Sequence, residues 1–247
     1  MHLLLCATTV PRIVNKGNGE QKASLRAPQK LDKITSFEYT RNEAINTPVK
    51  SKLHMTKKEV IWRHILDQAI QKKQAQFTQK ELAGRFRFSL STVHHALDIP
   101  RKIGAVEVTG RFFRLRDPEK FLYLWATQRN LKRDILYTTH VDMSVQKIEG
   151  AMTPRATFAA FSAYRLRYKD APADYDVVYV YATDATAIKS RFPKTKGYEN
   201  LVVLKPDPLL AHDAHITSDA QTFVDIWNTP HWYAKEFLSV LKEKMKL

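Results

Sequence analysis

Two aspartates, Asp174 and Asp176, form the pair of carboxylates in this sequence that is best spaced for catalysis with a metal ion. They bracket a loop position just before a predicted strand, and paired carboxylates of this kind bind Mg²⁺ in nucleotidyltransferases. Those enzymes also use a Gly-Ser turn upstream, whereas Gly150 is followed here by Ala and Met. A nucleotidyltransferase-like enzyme is therefore an alternative interpretation, but the sequence lacks the Gly-Ser turn that such an enzyme needs.

A nuclease or a different metal site meets a similar difficulty. A nuclease centre that used the same aspartates with Lys205 would need a carboxylate two residues before the lysine, where Val203 stands. His212, Asp213 and His215 have a spacing that suits a metal ion, but they lie in a predicted loop without a third ligand-bearing element. The sequence thus predicts no catalytic residue, no metal and no cofactor, and we expect a protein that is not an enzyme.

The composition excludes several other classes. The seven glycines of the 247 residues cannot form a phosphate-binding loop, because none are suitably spaced. The single cysteine, Cys6, excludes an internal disulfide framework and a cysteine-ligated metal cluster. No apolar run approaches the roughly 18 residues of a membrane span, and no basic residue precedes the short apolar start, as a secretory signal would require. We therefore expect a cytoplasmic protein without a membrane partner.

The positive charge is concentrated in the first half of the chain. The formal net charge is +15, from 40 basic and 25 acidic side chains. Residues 1–54 carry 9 basic and 4 acidic residues, residues 55–133 carry 17 and 7, and residues 134–247 carry 14 and 14. A basic segment beside a neutral one predicts a nucleic-acid-binding part joined to a part with another task. A generic basic surface that only confers solubility is the alternative.

Residues 1–54 show no sustained hydrophobic periodicity and are rich in Lys, Asn, Gly, Gln and Thr. Such a segment cannot bury enough apolar surface to offset its ordering entropy. We interpret it as disordered or as a mispredicted extension upstream of Met55. The alternative is a basic arm that binds phosphates, but its charges are scattered rather than clustered.

Residues 55–116 have the order of elements found in a winged helix-turn-helix. Apolar residues between positions 60 and 70 recur at intervals of one, three and four, which predicts a first helix. Thr78 followed by Glu81 has the pattern of a capping box, which begins a second, short helix. Both helices precede the segment that would read DNA.

The third helix and a hairpin complete this region. Ser89 or Ser91 caps the third helix, and Pro100 should end or bend it. Its predicted inner face consists of Leu90, Val93 and Leu97. Two short β runs at 103–108 and 112–116 are joined by a turn that contains Gly110, which predicts a hairpin, the wing.

Ten residues are candidates for contact with double-stranded DNA. If the third helix enters the major groove, its outward side chains meet base edges and phosphates; these are Ser91, Thr92, His94 and His95. The neighbouring cations that suit phosphates are Arg85, Arg87, Arg101, Lys102, Arg111 and Arg114. The helix lacks the Arg, Asn or Gln that make bidentate base contacts, so a solvated helix face is the alternative. The two adjacent histidines point in different directions and do not form a metal pair.

Residues 117–133 predict a connector helix with Asp117 as its cap and Pro118 at its first position. Residues 134–247 predict an α+β domain with a small mixed sheet. Its predicted strands are 135–139, 176–182 and 201–204, with 221–227 as a last strand or extended run, and its predicted helices are 153–168, 184–192 and 231–246.

Two stretches carry a resemblance to known families. The segment FTQKELAGRFRFSLSTVHHALDIPRKIGAVEV resembles the helix-turn-helix of many bacterial and archaeal regulators. The segment SDAQTFVDIWNTPHWYAKEFLSVLKEK is similar to the end of AbiEi-type antitoxins of type IV toxin–antitoxin systems, and MTPRATFAAFSAYRL is similar to the helix that opens that family's second domain. The residues that match the first of these antitoxin patterns are Gln221, Val224, Asp225, Trp227, Asn228, Tyr233, Ala234 and Phe237.

The antitoxin resemblance implies an N-terminal DNA-binding domain and a C-terminal domain that counteracts a nucleotidyltransferase-like toxin. From the residues alone, Trp227, Trp232 and Tyr233 are interpreted first as core aromatics. We therefore expect an α+β protein in which a winged helix-turn-helix precedes a small mixed sheet. The expected function is that of a DNA-binding transcriptional regulator, with an autorepressing antitoxin as its narrower form. A homodimer is left open.

Overall fold

The computed structural model describes residues 55–207, 209–210 and 215–247, and all of them fall in a single compact unit. Helices and two small sheets are mixed along the chain, so the fold class is α+β, as predicted. The interpretation of residues 1–54 and the metal candidates His212 and Asp213 lie outside the described residues. Within the described part, no helix is both long and apolar enough to cross a membrane.

Helix α1, Lys57–Lys72, begins at a complete capping box. The hydroxyl of Thr56 accepts the backbone N–H of Glu59 at 3.3 Å, and the Glu59 carboxylate accepts the N–H of Thr56 at 2.8 Å. Two amides that the helix leaves unpaired are thereby satisfied. The predicted apolar face is buried, and it includes Val60, Ile61, Ile65, Leu66 and Ile70.

Three shorter helices follow α1: α2 (Gln79–Phe86), α3 (Leu90–Ala96) and α4 (Asp98–Lys102). Thr78 caps α2, and Ser89 rather than Ser91 caps α3. The break before α4 falls at Leu97, and Pro100 lies in the first turn of α4, where a missing amide hydrogen costs nothing. The break in the helix therefore occurs at Leu97, three residues before the proline at which it was predicted.

A three-stranded antiparallel sheet lies beside these helices, in the order β1-β3-β2. Its strands are β1 (Gln76–Phe77), β2 (Val106–Val108) and β3 (Phe113–Leu115). The predicted hairpin is therefore present, and Thr109 closes its turn by donating its backbone N–H to the carbonyl of Phe112 at 2.8 Å. Two residues are too few to signal β1 in the sequence.

Helix α5 (Pro118–Gln128) and a 3-10 turn (Leu131–Asp134) lead into a second sheet of four strands. Its order is β4-β7-β6-β5, where the central pair is parallel and the outer pairs are antiparallel, so the sheet is mixed, as predicted. The strands are β4 (Ile135–Thr139), β5 (Thr157–Ala159), β6 (Val178–Tyr181) and β7 (Leu201–Leu204). The helices around them are α6 (Val145–Gly150), α7 (Ala160–Tyr168), α8 (Thr186–Arg191), α9 (Asp219–Trp227) and α10 (Ala234–Met245).

Two predictions for this region are wrong. Residues 153–168 are not one helix, because 157–159 pair with β6 as an edge strand before α7 begins. Residues 221–227 are not a strand but lie in α9, which the hydroxyl of Ser218 caps. The run is buried almost all round, and a buried helix then shows the same continuous apolar pattern as a buried strand.

One hydrophobic core contains residues from both sides of the expected boundary at 133/134. Helix α1 packs against α3, α5 and α9. The rings of Trp62 and Phe121 lie 5.7 Å apart, and those of Tyr123 and Phe223 lie 5.5 Å apart. The other face of the four-stranded sheet covers a second, smaller core that includes Ile148, Val178, Val180, Phe192, Leu201 and Val203. Helix α3, which α2 and α4 contact, therefore rests on α1, and α1 in turn rests on α5 and α9.

A buried polar cluster lies inside the first core and comprises Glu59, Arg129, Asp134, Tyr181, Gln221 and Asp225. The Arg129 guanidinium binds the Asp134 carboxylate and lies 3.9 Å from Oε1 of Glu59 and 3.4 Å from the Tyr181 hydroxyl. That hydroxyl donates to Oδ1 of Asp225 at 2.9 Å. The cluster thus joins the 3-10 turn, β6 and α9 through hydrogen bonds, and it joins α1 through the ion pair of Arg129 with Glu59.

A second buried ion pair joins α1 to the segment after β7. The two guanidinium nitrogens of Arg63 bind the two carboxylate oxygens of Asp207 at 2.6 and 3.0 Å. One of them also lies 3.4 Å from Oε1 of Gln221, which connects this pair to the buried polar cluster. The fork-like geometry of such a pair restricts orientation as well as distance.

The carboxyl group of Asp225 should make stability depend on pH. Burial raises its pKa from 3.8 to about 7, and Oδ2 has no hydrogen-bond partner within the described residues. The folded chain therefore binds a proton that the unfolded chain releases between about pH 4 and pH 7, so this group's contribution to stability falls as the pH rises through that window. The wild type loses this contribution as the pH rises, whereas Asp225→Asn has no carboxyl group to ionise. The free energy of unfolding of the variant minus that of wild type should therefore increase by on the order of 2 kcal/mol from pH 5 to pH 8.

Urea unfolding of both proteins at several pH values measures this difference. The wild-type profile must be subtracted from the variant profile because other groups also make stability depend on pH. Burial raises the pKa of Asp67 to about 6, so this carboxyl group also lowers the stability as the pH rises. His64, whose pKa burial lowers to about 4, contributes in the opposite direction, since it is neutral when folded. Parallel wild-type and variant profiles would contradict a protonated Asp225.

Candidate nucleic-acid interface

Helix α3 presents a polar face to solvent and an apolar face to the core. Val93 and Ala96 are buried, and the buried indole of Trp62 donates its N–H to the carbonyl of Ala96 at 2.6 Å. This contact fixes the end of α3 against α1. The predicted contact residues lie on the outer side, with Ser91, His94 and His95 exposed and Thr92 half-buried.

The first turn of α3 differs from the prediction at one apolar residue. Leu90, which was expected to face inward, is 55% exposed. It is the first residue of the helix, where the backbone has not yet turned its side chain toward α1. Nearby, the Ser89 hydroxyl lies 2.9 Å from the Thr92 hydroxyl, so the cap occupies part of the hydrogen-bonding capacity of Thr92.

The two histidines of α3 share one carboxylate, which the sequence analysis did not anticipate. Nδ1 of His95 lies 3.1 Å from Oδ2 of Asp98, and Nε2 of His94 lies 3.9 Å from its Oδ1. The hydrogen bond with His95 lowers the pKa of Asp98. In the described residues, no group of three His, Cys, Asp or Glu side chains could hold a metal ion. The Asp98 carboxylate therefore orients the imidazole of His95 at the end of α3.

Six exposed cations lie at α2, α4 and the hairpin, the elements that precede and follow this helix, and within the described part of the chain none of them forms an ion pair. Arg85 lies in the last turn of α2, and Arg87 ends that helix in a left-handed conformation with φ of 53°. Arg101 and Lys102 form the last turn of α4. Exposed cations that have no carboxylate partner in the described ranges are of the kind that phosphates attract.

The other two cations, Arg111 and Arg114, belong to the hairpin. Arg111 lies in the turn, where it lines a groove of about 280 Å³ together with Lys80 at the start of α2. Arg114 lies in β3, opposite Gln76, whose Oε1 is 3.5 Å from its guanidinium. By contrast, Arg116 lies 3.5 Å from the carboxylate of Glu107 and is partly neutralised.

The carboxylates of the enzyme interpretation have other partners. Asp176 accepts a hydrogen bond from the hydroxyl of Tyr233 at 2.6 Å, and the hydroxyl of Tyr198 lies 3.4 Å away. Asp174 is exposed. No third acidic or imidazole ligand joins them among the described residues. Asp176 thus holds the segment before α10 against the start of β6.

The residues that carry the antitoxin resemblance are mostly structural. Gln221 and Asp225 belong to the buried polar cluster, and the side-chain amide of Asn228 donates to backbone carbonyls of α5 and α9. Tyr233 is buried, as expected of a core aromatic. Trp227 and Trp232 are 41% and 80% exposed, so their interpretation as core residues is wrong. No periodicity in the sequence could have indicated this, since both lie at a helix end or in the link between α9 and α10.

No family model, no curated protein and no solved structure matches this chain.

Proposed function

We propose that the protein is a DNA-binding transcriptional regulator in which residues 55–116 form a winged helix-turn-helix. In this proposal α3 is the recognition helix and the β2–β3 hairpin is the wing. The observation that carries the proposal is the set of six exposed cations at α2, α4 and the hairpin, the elements on either side of α3 in the chain, none of which pairs with a carboxylate among the described residues. Surface charge that served only solubility would not need to be concentrated around one helix.

Each part of this surface has a distinct task. The N-terminal half of α3 enters the major groove, where the hydroxyl of Ser91 and the ring of His94 meet base edges. The exposed side chain of Leu90 can contact a thymine methyl group. The cations bind phosphates on both sides of the groove and set the register of the protein on the duplex. Sequence preference therefore comes from few contacts, and affinity comes mainly from charge.

The wing gives a direct test. Arg111→Ala with Arg114→Ala should weaken binding to specific and scrambled duplexes by the same factor, because phosphate contacts carry no base information. Each lost contact should reduce the magnitude of the slope of log affinity against log salt by about 0.9. Fluorescence anisotropy with the full chain at several salt concentrations measures both effects.

The matched control for the wing is Arg155→Ala with Lys196→Ala, two exposed cations from the region of the four-stranded sheet. These substitutions change the net charge equally but should leave the slope unchanged. An unchanged slope in the wing variant would place the hairpin away from the DNA and would contradict the winged-helix proposal.

A narrower role as an autorepressing antitoxin is supported by the exposed aromatics of the C-terminal region. Trp227 and Trp232, with Tyr123, line an open groove of about 520 Å³, and tryptophans of this kind are common in protein interfaces. In this role the groove contacts a nucleotidyltransferase-like toxin. Coexpression with such a toxin tests it: wild type should restore growth, while Trp232→Ala should not, although its DNA binding is unchanged. Restored growth with the variant would contradict this role for the groove.

A further inference from the structure

A second cavity, of about 440 Å³, lies against the four-stranded sheet and is separate from the basic surface. Its floor is made by buried apolar side chains of β6 and β7, and one wall is the 3-10 turn that follows α5. The loop before β7 and the segment after α9 form the other walls. The apolar part of the lining includes Leu131, Ile135, Tyr179, Val202, Leu204 and Pro230.

The loop before β7 is held in place by contacts within the chain. Gly197, which lines the cavity, has φ of 144°, and a Cβ at this position would lie 2.8 Å from Cγ of His140. Nδ1 of His140 is 2.8 Å from the carbonyl of Tyr198. The carboxylate of Glu199 accepts hydrogen bonds from Thr138 at 2.5 Å and from Lys194 at 2.7 Å. The cavity is therefore preformed, which reduces the entropic cost of binding.

Most polar groups of the lining already have partners. The hydroxyl of Tyr179 lies 3.0 Å from Nε2 of His231, and burial lowers the pKa of this histidine, which keeps it neutral. The amide nitrogen of Asn228 donates to two backbone carbonyls. The negative charge of Glu199 is offset by Lys194. Lys132 is different, since its exposed ammonium forms no ion pair with any residue that the structure describes.

We propose that this cavity binds a small ligand with a flat apolar body and one negative charge, such as an aromatic carboxylate. The volume lies within the usual range for ligand pockets of roughly 300–1,000 Å³. Apolar and aromatic side chains cover the body of the ligand, and Lys132 at the rim pairs with its anionic group. A cationic ligand is disfavoured because Glu199 is already paired and Lys132 repels it.

The cavity touches a part of the chain that is tied to the buried polar cluster. Leu131 and Lys132 lie in the short turn between Arg129 and Asp134, which bind each other in the core. A ligand that contacts this turn binds the folded chain only. Binding should therefore raise the midpoint of thermal unfolding in proportion to the logarithm of ligand concentration.

Three probes with the same naphthalene body test the proposal with the full chain and without DNA: 2-naphthoate, uncharged 2-naphthamide and cationic 2-naphthylmethylamine. Isothermal titration calorimetry should show naphthoate binding about fivefold more tightly than naphthamide, which is the value expected of one exposed charge pair. Lys132→Gln should remove this preference while leaving the affinity for naphthamide unchanged. The matched control Lys147→Gln, an exposed lysine on α6, should preserve the preference.

A second variant tests the position of the ligand. Ile135 is 42% exposed at the rim, so Ile135→Trp narrows the cavity without disturbing the core, and it should weaken all three probes more than tenfold. Equal affinity for the three probes, no binding of naphthoate at millimolar concentration, or binding that neither variant changes would overturn the proposal. Because no DNA is present, these outcomes do not depend on whether the protein is a transcriptional regulator.

Discussion

Replacing Arg129 with methionine is expected to lower the free energy of unfolding by about 3–5 kcal/mol. The side chain of Arg129 is 2% exposed and pairs with Asp134 and with Glu59. Methionine fills a similar volume but leaves two buried carboxylates without their cation. The desolvation penalty of these charges is then no longer offset, and this loss exceeds the value of the ion pairs themselves.

The midpoint of urea unfolding at constant slope measures this change. Arg155→Met, at an exposed position, is the matched control and should change the free energy of unfolding by less than about 0.5 kcal/mol. Adding Asp225→Asn to Arg129→Met should recover part of the loss at pH 8, because it removes one neighbouring negative charge, and the double variant reports this coupling. A loss below about 1 kcal/mol in Arg129→Met would show that the cluster does not hold the core together.

Neutralising the four cations of α2 and α4 should have the largest effect on DNA binding. Replacing Arg85, Arg87, Arg101 and Lys102 together with glutamine is expected to lower the affinity for any duplex by about 10²–10³-fold near physiological salt. The magnitude of the salt slope should fall by about 3 to 4, because each phosphate contact contributes about 0.9. All four residues are exposed, so the fold should be retained.

A second quadruple variant, which removes the same number of positive charges elsewhere, separates the effect of the cations near α3 from the effect of net charge. Lys147, Arg155, Lys196 and Lys235 are exposed cations outside residues 55–116, and their replacement with glutamine should change affinity by less than about threefold through the weak long-range field alone. Circular dichroism of both variants should match wild type. If the two quadruple variants lose affinity equally, net charge rather than the surface around α3 drives binding.

The parts of the fold that were predicted correctly have local signals. Thr78 and Asp117 each accept a backbone N–H at the start of a helix, as their residue types and positions predicted, and so does Ser89, one of the two serines predicted to cap α3. The cap at Thr56 was not predicted, although its capping box with Glu59 is a pattern of the same local kind. Local signals of this kind depend on residues three or four positions apart, which a sequence displays directly. The hairpin of β2 and β3 has the same property, since its turn is short.

The parts that were not predicted depend on distant residues. The segment 157–159 is a strand only because β6 lies beside it, and 221–227 is a helix whose burial on most sides hides its period. The buried polar cluster brings together residues from four separate parts of the chain, and no spacing in the sequence indicates such a meeting. For the candidate interface, the residue types were evident from the sequence, whereas their exposure and their lack of carboxylate partners among the described residues are tertiary properties.

The packing of α1 against α9 has a consequence for synthesis on the ribosome. The chain emerges from its N-terminus, so α1 to α4 leave the ribosome before α9 and α10 are translated. Until then α1 lacks the part of its packing that α9 supplies, and the buried polar cluster lacks Gln221 and Asp225. We therefore expect α1, and with it α3, to gain its final packing only at the end of translation, so that a chain cut short before Asp219 is exposed to chaperones and proteases.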